Sequence, residues 1–175
     1  MKRIVSFSYG RSSAYLVIAA IERFGVENVD VVSMDTGAEH AKTYEFARKF
    51  DRYLLDMYGK QIIYLRLKIN PKLGVGNSYT VISVEDLKPD LMPFKAMLSK
   101  YGVPYIGGMF CTDRMKLQPF KKYCEDVYGK NNYETWLGIR ADEPSRLVGD
   151  KNYKAIKKNL GLDDRSIFNM FATFI

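Results

Sequence analysis

The sequence predicts an α/β fold, a Rossmann-like, three-layer α/β/α arrangement around a mainly parallel sheet. Short runs rich in β-branched residues alternate with longer segments that carry apolar residues at helical spacing, and this alternation is typical of βαβ crossovers between parallel strands. The chain has 175 residues, of which 47% are hydrophobic and 27% are charged, as in globular proteins with one core. We therefore expect a single domain over residues 1–175.

The predicted strands and helices follow each other in order along the chain. Strands are predicted where short apolar runs occur, at residues 2–7, 29–34, 61–67 and 134–139. Helices are predicted from apolar periodicity at residues 12–24, 41–58 and 91–100, and from Thr112 or Asp113 to residue 128. Gly25 and Gly59 directly follow the first two helices, where glycine commonly ends a helix.

Two segments depart from this alternation. Residues 70–108 contain many prolines and glycines, so outside the helix at 91–100 we expect an irregular insertion or a lid. Residues 151–175 are expected to form a short tail with a basic helix at 152–159 and an apolar end, F-N-M-F-A-T-F-I. That end predicts packing on the core or on a partner, such as the second copy in a homodimer, unless the chain is shorter than its relatives.

Charge and composition limit the class of partner. The net charge of +7 and the pI near 9.3 favour a polyanionic partner, a nucleotide or a nucleic acid, although excess lysine also keeps proteins soluble. No signal peptide follows Met1 and no apolar run reaches the roughly 18 residues of a membrane span. We therefore expect a cytoplasmic protein with no membrane partner.

The single histidine, His40, and the two cysteines, Cys111 and Cys124, exclude a histidine-rich metal centre and a four-cysteine iron–sulfur cluster. We expect His40 at the surface, in the first turn of the second helix. Cys124 is expected to pack inside the protein. Both thiols are expected to be reduced.

Ligands of open α/β sheets bind beside the carboxyl ends of the strands, so the residues that follow each predicted strand form the candidate site. The first strand ends near Ser6 and is followed by S-Y-G-R-S-S, Ser8 to Ser13. Glycine permits close backbone approach, while hydroxyl groups and the N–H groups of a helix start favour phosphate. Arg11 adds a positive charge. The alternative is a serine N-cap on a core helix.

The second strand is followed by D-T-G-A-E, Asp35 to Glu39. Asp35 would receive a ribose hydroxyl or an amino group, or hold a metal through water. The alternative is a simple turn, with Glu39 favoured by the start of the next helix. Further along, Arg114 and Lys116 near a predicted helix start suit an anion, or are solvated surface charges.

The last predicted strand is followed by R-A-D-E-P-S-R, Arg140 to Arg146. Arg140 and Arg146 suit bidentate contacts with phosphate or sulfate. Asp142 and Glu143 are either salt-bridge partners of these arginines or metal ligands. We therefore expect all four polar groups to lie at strand exits, at the carboxyl ends of the strands.

Four motifs, taken in order, resemble those of one protein family. S-F-S-Y-G-R-S-S resembles the PP-loop, S-G-G-x-D/T-S, of the adenine nucleotide α-hydrolase (N-type ATP pyrophosphatase) superfamily. M-D-T-G-A-E-H, C-T-D-R-M-K-L-Q-P and G-I-R-A-D-E-P-S-R are similar to later motifs of its phosphoadenosine phosphosulfate (PAPS) reductase-like branch, and the motifs span residues 4–146. Stand-alone members of this branch are frequent in phage, which implies the host cytoplasm as the location.

The resemblance implies a bound ATP or related adenylyl nucleotide with Mg²⁺, and no iron–sulfur cluster. It places these residues around the phosphates: Ser8, Gly10, Arg11, Ser12 and Ser13. It places Asp35 and Thr36 near the adenosine end, and Lys116, Arg140 and Arg146 near phosphates or sulfate. The other residues expected to bind the nucleotide are Ser6, Gly37, Glu39, Thr112 and Gly138.

The activity that the resemblance implies is cleavage of ATP between the α- and β-phosphates with transfer of the adenylyl group, or a reaction of an adenylyl-sulfate-type nucleotide. The acceptor would be a nucleic acid or a sulfur donor. Positioning and charge neutralisation would drive such a step, without a protein nucleophile. The candidate catalytic residues are Ser13, Lys116, Arg140 and Cys111.

The sequence departs from the family pattern at two positions of the loop and at the C-terminus. Tyr9 stands where the PP-loop has its first glycine, and its side chain either crowds the phosphates or packs away from them. Ser12 stands where the ATP pyrophosphatases have aspartate. PAPS reductases also use a cysteine in a C-terminal tail, which is missing up to Ile175. Cys111 is then the remaining candidate nucleophile, or else a small buried residue at a helix start. The alternatives are therefore a thiol-dependent PAPS or adenylyl-sulfate reductase and a non-catalytic nucleotide-binding or partner-binding module.

Overall fold

The computed structural model describes residues 1–103 and 112–138, and its strands and helices lie close to the predicted bounds. The strands of this part of the chain are β1 (Lys2–Ser6), β2 (Val29–Asp35), β3 (Ile63–Lys68), β4 (Ser78–Ile82) and β5 (Tyr133–Leu137). Its α-helices are α1 (Arg11–Phe24), α2 (Ala41–Tyr58), α3 (Met92–Tyr101) and α4 (Gln118–Tyr128).

These strands form one sheet in the order β4-β3-β2-β1-β5. β1 pairs with β5 in parallel, β2 pairs with β3 in parallel, and β3 pairs with β4 in the antiparallel direction. The sheet is mostly parallel because helices connect successive strands and return the chain to the same end of the sheet. The predicted Rossmann-like α/β class is confirmed.

The chain divides into two compact units. The first unit contains Met1–Val31 and the described residues from Tyr133 onwards, and the second unit contains Val32–Asn132. In the first unit, the side chains of β1 and α1 that face inward are almost fully buried: Ile4, Val5, Leu16, Val17 and Ile21. In the second unit, one apolar cluster joins β3, α3 and the segment before α4, through Leu67, Met97 and Met115. These cores hold the strand ends where the candidate site residues lie.

One strand differs from the prediction. The expectation that residues 70–108 are irregular outside their helix is wrong for β4. This strand pairs with β3 from Lys68↔Ser78 to Tyr64↔Ile82. The side chains of β4 are half-buried or exposed, so burial leaves little periodic signal in its sequence. Pairing with β3, a long-range contact, defines this strand.

The helix that we predicted from Thr112 or Asp113 has two parts. Thr112–Leu117 is π-helical and Gln118–Tyr128 is α-helical. Pro119 lies in the first turn of α4, and a proline cannot donate the backbone hydrogen bond that a continuous α-helix would need there. A π-helical turn accommodates this interruption.

Some predictions concern residues outside the described part of the chain. These are the end of the last strand at residue 139 and the tail at 151–175 with its helix. Within residues 1–103 and 112–138, no helix combines the length and the apolar character needed to cross a membrane.

Candidate functional site

The loop between β1 and α1 carries the first group of predicted site residues. Ser6, which ends β1, is half-buried. The rings of Phe7 and Tyr9 are buried, and they anchor the loop in the first unit. The remaining positions of the loop are exposed: Ser8, Gly10, Arg11 and Ser12. The loop therefore presents polar groups to solvent between two buried aromatic anchors.

The hydroxyl group of Ser13 holds this loop in shape. It donates to the carbonyl oxygen of Gly10 at 2.9 Å, and it accepts from the N–H and the hydroxyl of Ser8, each at 3.2 Å. One donated and two accepted hydrogen bonds use the full capacity of a hydroxyl group, and Ser13 is 2% exposed. Ser13, predicted to be catalytic, is therefore placed as the internal brace of the loop.

Tyr9 adopts the left-handed backbone conformation, with φ of 61°. Glycine adopts this conformation without the steric cost that a side chain brings, so tyrosine at this position carries that cost. The Tyr9 ring meets the ring of Phe7 edge to face, with 5.5 Å between ring centroids. The Tyr9 side chain was expected either to crowd the phosphates or to pack away from them. In the structure its ring packs into the protein.

The start of α1 is electrostatically unusual. Gly10 is its N-cap, no side chain caps the helix, and its first turn contains no acidic residue. The first N–H groups of such a helix have no acceptor within the helix. Arg11 is exposed and forms no ion pair with a described residue. A cation at a helix N-terminus lies beside the positive end of the helix dipole, so positive potential accumulates here.

Gly138 brings the end of β5 against the same loop. A Cβ atom at this position would lie 3.3 Å from the Cα of Ser13 and 3.5 Å from its backbone nitrogen. Glycine therefore permits a close approach between the end of β5 and the first turn of α1. Of the predicted site residues in the first unit, the structure brings together Ser8, Gly10, Ser13 and Gly138.

In the second unit, Asp35 is the centre of a buried hydrogen-bond network. Its Oδ1 accepts from the N–H of Gly37 at 3.0 Å and from the hydroxyl of Tyr44 at 2.7 Å. Its Oδ2 accepts from the Nε of Arg66 at 2.8 Å and also from its Nη2. The Asp35 side chain has no exposed surface. All its bonding capacity is internal, so the residue does not fit the predicted metal ligand and acts here on the conformation of its own loop.

The partners of Asp35 titrate far from neutral pH. Burial, followed by the hydrogen bond to Asp35, raises the pKa of Tyr44. Partial burial alone would lower the pKa of Arg66, but the hydrogen bond and the charge of Asp35 outweigh it and raise that pKa. Tyr44 therefore remains a hydroxyl donor and Arg66 a cation around the carboxylate.

The turn after Asp35 is locked to the start of α3. Gly37 has φ of 68°, and its carbonyl oxygen accepts from the N–H of Leu91 at 2.9 Å. A Cβ at position 37 would lie 2.7 Å from Asp90 Oδ1. Asp90 also pairs with Arg66 at 3.4 Å. Only glycine therefore satisfies both the backbone conformation and the space at this turn.

The other residues of this turn are placed as follows. Thr36 is buried, and its hydroxyl accepts from the N–H of Ala38 at 3.3 Å. Glu39 is half-buried. His40 is exposed, as expected, and caps α2, because its Nδ1 accepts from the N–H of Lys42 at 3.1 Å.

The π-helical segment carries the third predicted group. Thr112 is exposed, and Lys116 is half-buried and forms no ion pair with a described residue. Arg114 pairs with Asp113 at 3.5 Å and lies 4.9 Å above the ring of Tyr101. Met115, which is 1% exposed, anchors the segment in the core. Lys116 is thus a positive charge directly next to Met115, which is buried in the core.

Cys124 is fully buried, and burial raises its pKa to about 12. A thiol with so high a pKa is protonated at neutral pH and is inert as a nucleophile, so the expectation that Cys124 packs inside the protein is confirmed. The remaining predicted residues lie outside the described part of the chain: Cys111, Arg140, Asp142, Glu143 and Arg146. Within the described part, no group of three or more His, Cys, Asp or Glu side chains is placed to hold a metal ion.

Sequence reasoning missed the residues that hold Asp35. Arg66 is the one charged residue in the predicted strand Q-I-I-Y-L-R-L, and a charge in an otherwise apolar strand signals a buried partner. Tyr44 occupies a core position of α2 at helical spacing, where its hydroxyl carries no separate signal. The pairing of these residues depends on contacts between distant parts of the chain.

Two relatives show what this chain is similar to. An uncharacterized nin region protein of Escherichia phage lambda is 49% identical over 151 residues, which are 84% of this chain and 51% of that protein. An uncharacterized protein of Methanocaldococcus jannaschii is 28% identical over 140 residues, which are 80% of this chain and 23% of that protein. The chain therefore spans about half of the phage relative and about a quarter of the archaeal one. No protein family and no solved structure matches the chain.

Proposed function

We propose that this chain binds an adenine nucleotide through the loop between β1 and α1, as a PAPS reductase-like member of the PP-loop superfamily. The observation that carries the proposal is the start of α1, where an uncapped helix N-terminus without acidic residues coincides with the exposed cation of Arg11. In the absence of an anion, the Arg11 cation and the positive end of the α1 dipole repel each other. A phosphate would satisfy the N–H groups and the charge of Arg11 together.

The rest of the loop supports a phosphate rather than a small neutral ligand. Ser8 and Ser12 are exposed hydroxyl-bearing residues on either side of Gly10, and glycine permits a ligand to approach the backbone. Ser13 and Tyr9 hold the loop from within, through hydrogen bonds and a buried ring respectively. The loop thus separates residues that maintain its shape from residues that would contact the nucleotide.

The favoured reaction is cleavage of ATP between the α- and β-phosphates, with transfer of the adenylyl group to a nucleic acid or a sulfur donor. The exposed groups of the loop would position the phosphates and neutralise their charge, which is the main contribution that proteins make to phosphoryl chemistry. Arg140 and Arg146, which follow Gly138 in the sequence, are proposed for the same task. The proposed location is the host cytoplasm, in keeping with the phage relative.

Mg²⁺ would accompany the nucleotide and neutralise the charge of the leaving pyrophosphate. Asp35 does not fit as its ligand, because the carboxylate is buried and saturated with hydrogen bonds. Asp142 and Glu143 are the proposed alternatives. The protein's own described residues therefore contribute positive charge and hydrogen-bond donors to the site, and the nucleotide phosphates contribute the anionic groups.

Two alternatives differ in chemistry. A thiol-dependent reductase would need Cys111, since Cys124 is buried with a pKa near 12. A non-catalytic binding module is favoured by one observation, the full use of the Ser13 hydroxyl within its loop. Because the Ser13 hydroxyl is occupied within the loop, it is not free to act as a catalytic group. The groups proposed to bind phosphate are other ones, so this module would still bind the nucleotide.

Thermal unfolding in the presence of ATP, AMP, PAPS and adenylyl sulfate tests the proposal. A ligand at 100 times its Kd stabilises the folded state by about 2.7 kcal/mol, so a nucleotide that binds raises the melting temperature measurably. Formation of AMP and pyrophosphate from ATP with Mg²⁺ would support adenylyl transfer, and sulfite release from PAPS that Cys111→Ser abolishes would support the reductase. Binding without turnover would support the binding module. The proposed function fails if none of the four nucleotides stabilises the protein.

A further inference from the structure

The excess positive charge of the protein comes from two stretches of its sequence. Residues 67–84 contain two lysines and no acidic residue, and residues 91–124 contain six basic residues and one acidic residue, Asp113. Together the two stretches carry a net charge of +7, which equals that of the whole chain, so the remaining residues are neutral on balance. Both stretches belong to the second unit. A strongly basic surface is therefore expected where they meet.

The two stretches meet at Tyr101, the last residue of α3. The Nζ of Lys100 lies 5.0 Å from the centroid of the Tyr101 ring, and the Cζ of Arg114 lies 4.9 Å from it. The hydroxyl of Tyr101 accepts from the Nδ2 of Asn77, in the loop between β3 and β4, at 2.8 Å. Cation–π contacts attract both cations to this ring. Tyr101 therefore holds two cations beside the loop.

Lys100 also connects α3 to the loop between β3 and β4. Its Nζ donates to the carbonyl oxygen of Val75 at 2.8 Å and to the Oδ1 of Asn77 at 2.9 Å. The loop contains the exposed Lys72, and it follows Lys68, the exposed last residue of β3. We call the four cations of this region the basic patch: Lys68, Lys72, Lys100 and Arg114.

The basic patch contains few counter-charges. Within residues 1–103 and 112–138, Lys68, Lys72 and Lys100 form no ion pair, and Arg114 pairs with Asp113 alone, at 3.5 Å. Lys100 and Arg114 contact the same ring although like charges repel each other. A solvated lysine could move away, whereas Lys100 is held by two hydrogen bonds. A bound anion would offset this repulsion, so the geometry suits a negatively charged partner.

We propose that the basic patch binds the sugar-phosphate backbone of a nucleic acid strand. Lys100 and Arg114 alone would suffice for one phosphate, whereas Lys68 and Lys72 extend the positive surface along the loop and β3, so the patch suits a chain of phosphates. Contacts of lysine and arginine with phosphates carry no sequence information and depend strongly on salt. As a choice of acceptor for adenylyl transfer, this inference rests on the proposed function, but the binding itself does not.

An anionic membrane fits the basic patch less well than a nucleic acid does. Proteins that lie on membranes combine cations with an apolar face that enters the lipid. In the loop between β3 and β4, the exposed large apolar side chains are those of Leu73 and Val75. Two such side chains bury too little apolar area for stable membrane binding, so we argue for the nucleic acid and use the membrane as a competing outcome.

The test is fluorescence anisotropy of a labelled oligothymidylate of about 20 nucleotides, titrated with the whole chain at several salt concentrations and without ATP. Each lost phosphate contact lowers the slope of log K against log salt by about 0.7 for a single strand. We expect the double variant Lys68→Ala, Lys72→Ala to bind about tenfold more weakly, with a slope lower by about 1.4. The double variant Lys42→Ala, Lys49→Ala is the matched control, since it removes two exposed lysines from α2, and both quantities should stay unchanged.

Two further variants make the test independent of folding and of the nucleotide site. Arg114→Ala removes a cation from the other side of the basic patch and should also weaken binding. Arg11→Ala changes the loop proposed to bind the nucleotide and should bind the oligonucleotide as the wild type does. Circular dichroism checks the fold of every variant. Failure of the proposed nucleotide binding would therefore leave these measurements unaffected.

The proposal is supported if the folded patch variants bind more weakly while the α2 control and Arg11→Ala bind like the wild type. It is overturned if the wild-type protein does not bind the oligonucleotide at low salt, or if the α2 control loses as much affinity as the patch variants. Loss of binding in Arg11→Ala alone also overturns it, because the strand would then occupy the nucleotide loop. Binding through the patch to vesicles of phosphatidylserine and phosphatidylcholine, and not to the oligonucleotide, would identify a membrane as the partner instead.

Discussion

Asp35 and Arg66 are directly paired residues of the parallel strands β2 and β3, and their side chains form an ion pair. The Asp35 side chain has no exposed surface, whereas that of Arg66 is 19% exposed. The two residues that the strand pairing places side by side therefore also carry opposite charges. Their ion pair fixes the turn that follows β2. Arg66 also reaches Asp90, so the same guanidinium connects this turn to the segment before α3.

Removal of the cation should strongly destabilise the protein. In Arg66→Ala, the Asp35 carboxylate remains buried without an opposite charge, and we expect a loss of about 3–5 kcal/mol in the free energy of unfolding. Urea denaturation measures this loss. Lys49→Ala, which removes a partner of the exposed pair with Glu45, is the control and should have a much smaller effect. Similar losses in the two variants would show that the Asp35 carboxylate does not depend on Arg66.

Arg11 should lower the stability of the free protein and raise its affinity for the nucleotide. Without nucleotide, Arg11→Ala removes a cation from the positive end of the α1 dipole, and we expect the protein to gain about 0.3–1 kcal/mol. With nucleotide, the same change should weaken binding by about tenfold, which corresponds to 1.4 kcal/mol. Urea denaturation and nucleotide titration measure the two effects.

Arg23→Ala is the matched control for Arg11→Ala. Arg23 is also exposed but lies in the last turn of α1, where a cation is favourable to the dipole. We expect a small loss of stability and unchanged nucleotide affinity. If both variants weakened nucleotide binding equally, the overall charge of the protein, and not the start of α1, would account for binding.

Alanine variants of Ser13 and Ser12 should distinguish a residue that maintains the shape of the loop from one that contacts the nucleotide. Ser13→Ala removes the acceptor of the Ser8 N–H and the donor to Gly10, and we expect a cost of about 1–3 kcal/mol. Ser12 is exposed, so Ser12→Ala should change stability by less than about 0.5 kcal/mol while it lowers nucleotide affinity. Chemical denaturation and nucleotide titration of both variants are the measurements. Unchanged stability of Ser13→Ala would contradict the internal role of its hydroxyl.

Alanine variants of Gly37 and Gly59 allow the cost of backbone strain to be separated from the cost of a steric clash. Their φ values, 68° and 63°, are nearly the same, so alanine brings similar backbone strain at both positions. Only at position 37 would the new Cβ meet neighbours, at 2.7 Å from Asp90 and 3.2 Å from Leu91. We expect Gly37→Ala to cost about 1–3 kcal/mol more than Gly59→Ala in thermal or urea unfolding. Equal costs would show that the turn yields to the added methyl group.

Asp51 should make stability depend on pH. Burial raises its pKa, against the lowering effect of the hydrogen bond that its Oδ1 accepts from the N–H of Ile62 at 2.8 Å. A carboxyl group whose pKa is higher in the folded state binds its proton more tightly there, so its contribution to stability falls as the pH rises from about 4.

Asp51→Asn keeps an oxygen acceptor for Ile62 and removes this titration. We expect its stability relative to the wild type to increase from about pH 4 through the raised pKa and then to become constant. Urea denaturation over that pH range measures the difference. Asp56→Asn, on the exposed side of the same helix, controls for the loss of one negative charge. A pH-independent difference for Asp51→Asn would contradict the role of burial.

Much of the fold and part of the site could be predicted because the signals are local. The apolar spacing of α2 and the glycine that follows it appear in one short window of sequence, as do the serines and glycine of the loop before α1. The strand β4 and the π-helical turn before α4 could not be predicted in the same way. The first depends on pairing with β3 and the second on where Pro119 interrupts a helix whose length is set by packing.

The sequence by itself determined the alternation of strands and helices, and thereby the α/β class and the positions of polar residues after each strand. Tertiary structure decided what those polar residues do. Ser13 and Asp35 were predicted to meet a ligand, yet one braces its own loop and the other is enclosed by Tyr44 and Arg66. Arg66 lies 31 residues from Asp35 in sequence, and only the register of two strands brings them together. Local periodicity records which side of an element is buried, whereas the partner that a buried polar group finds depends on packing between distant elements.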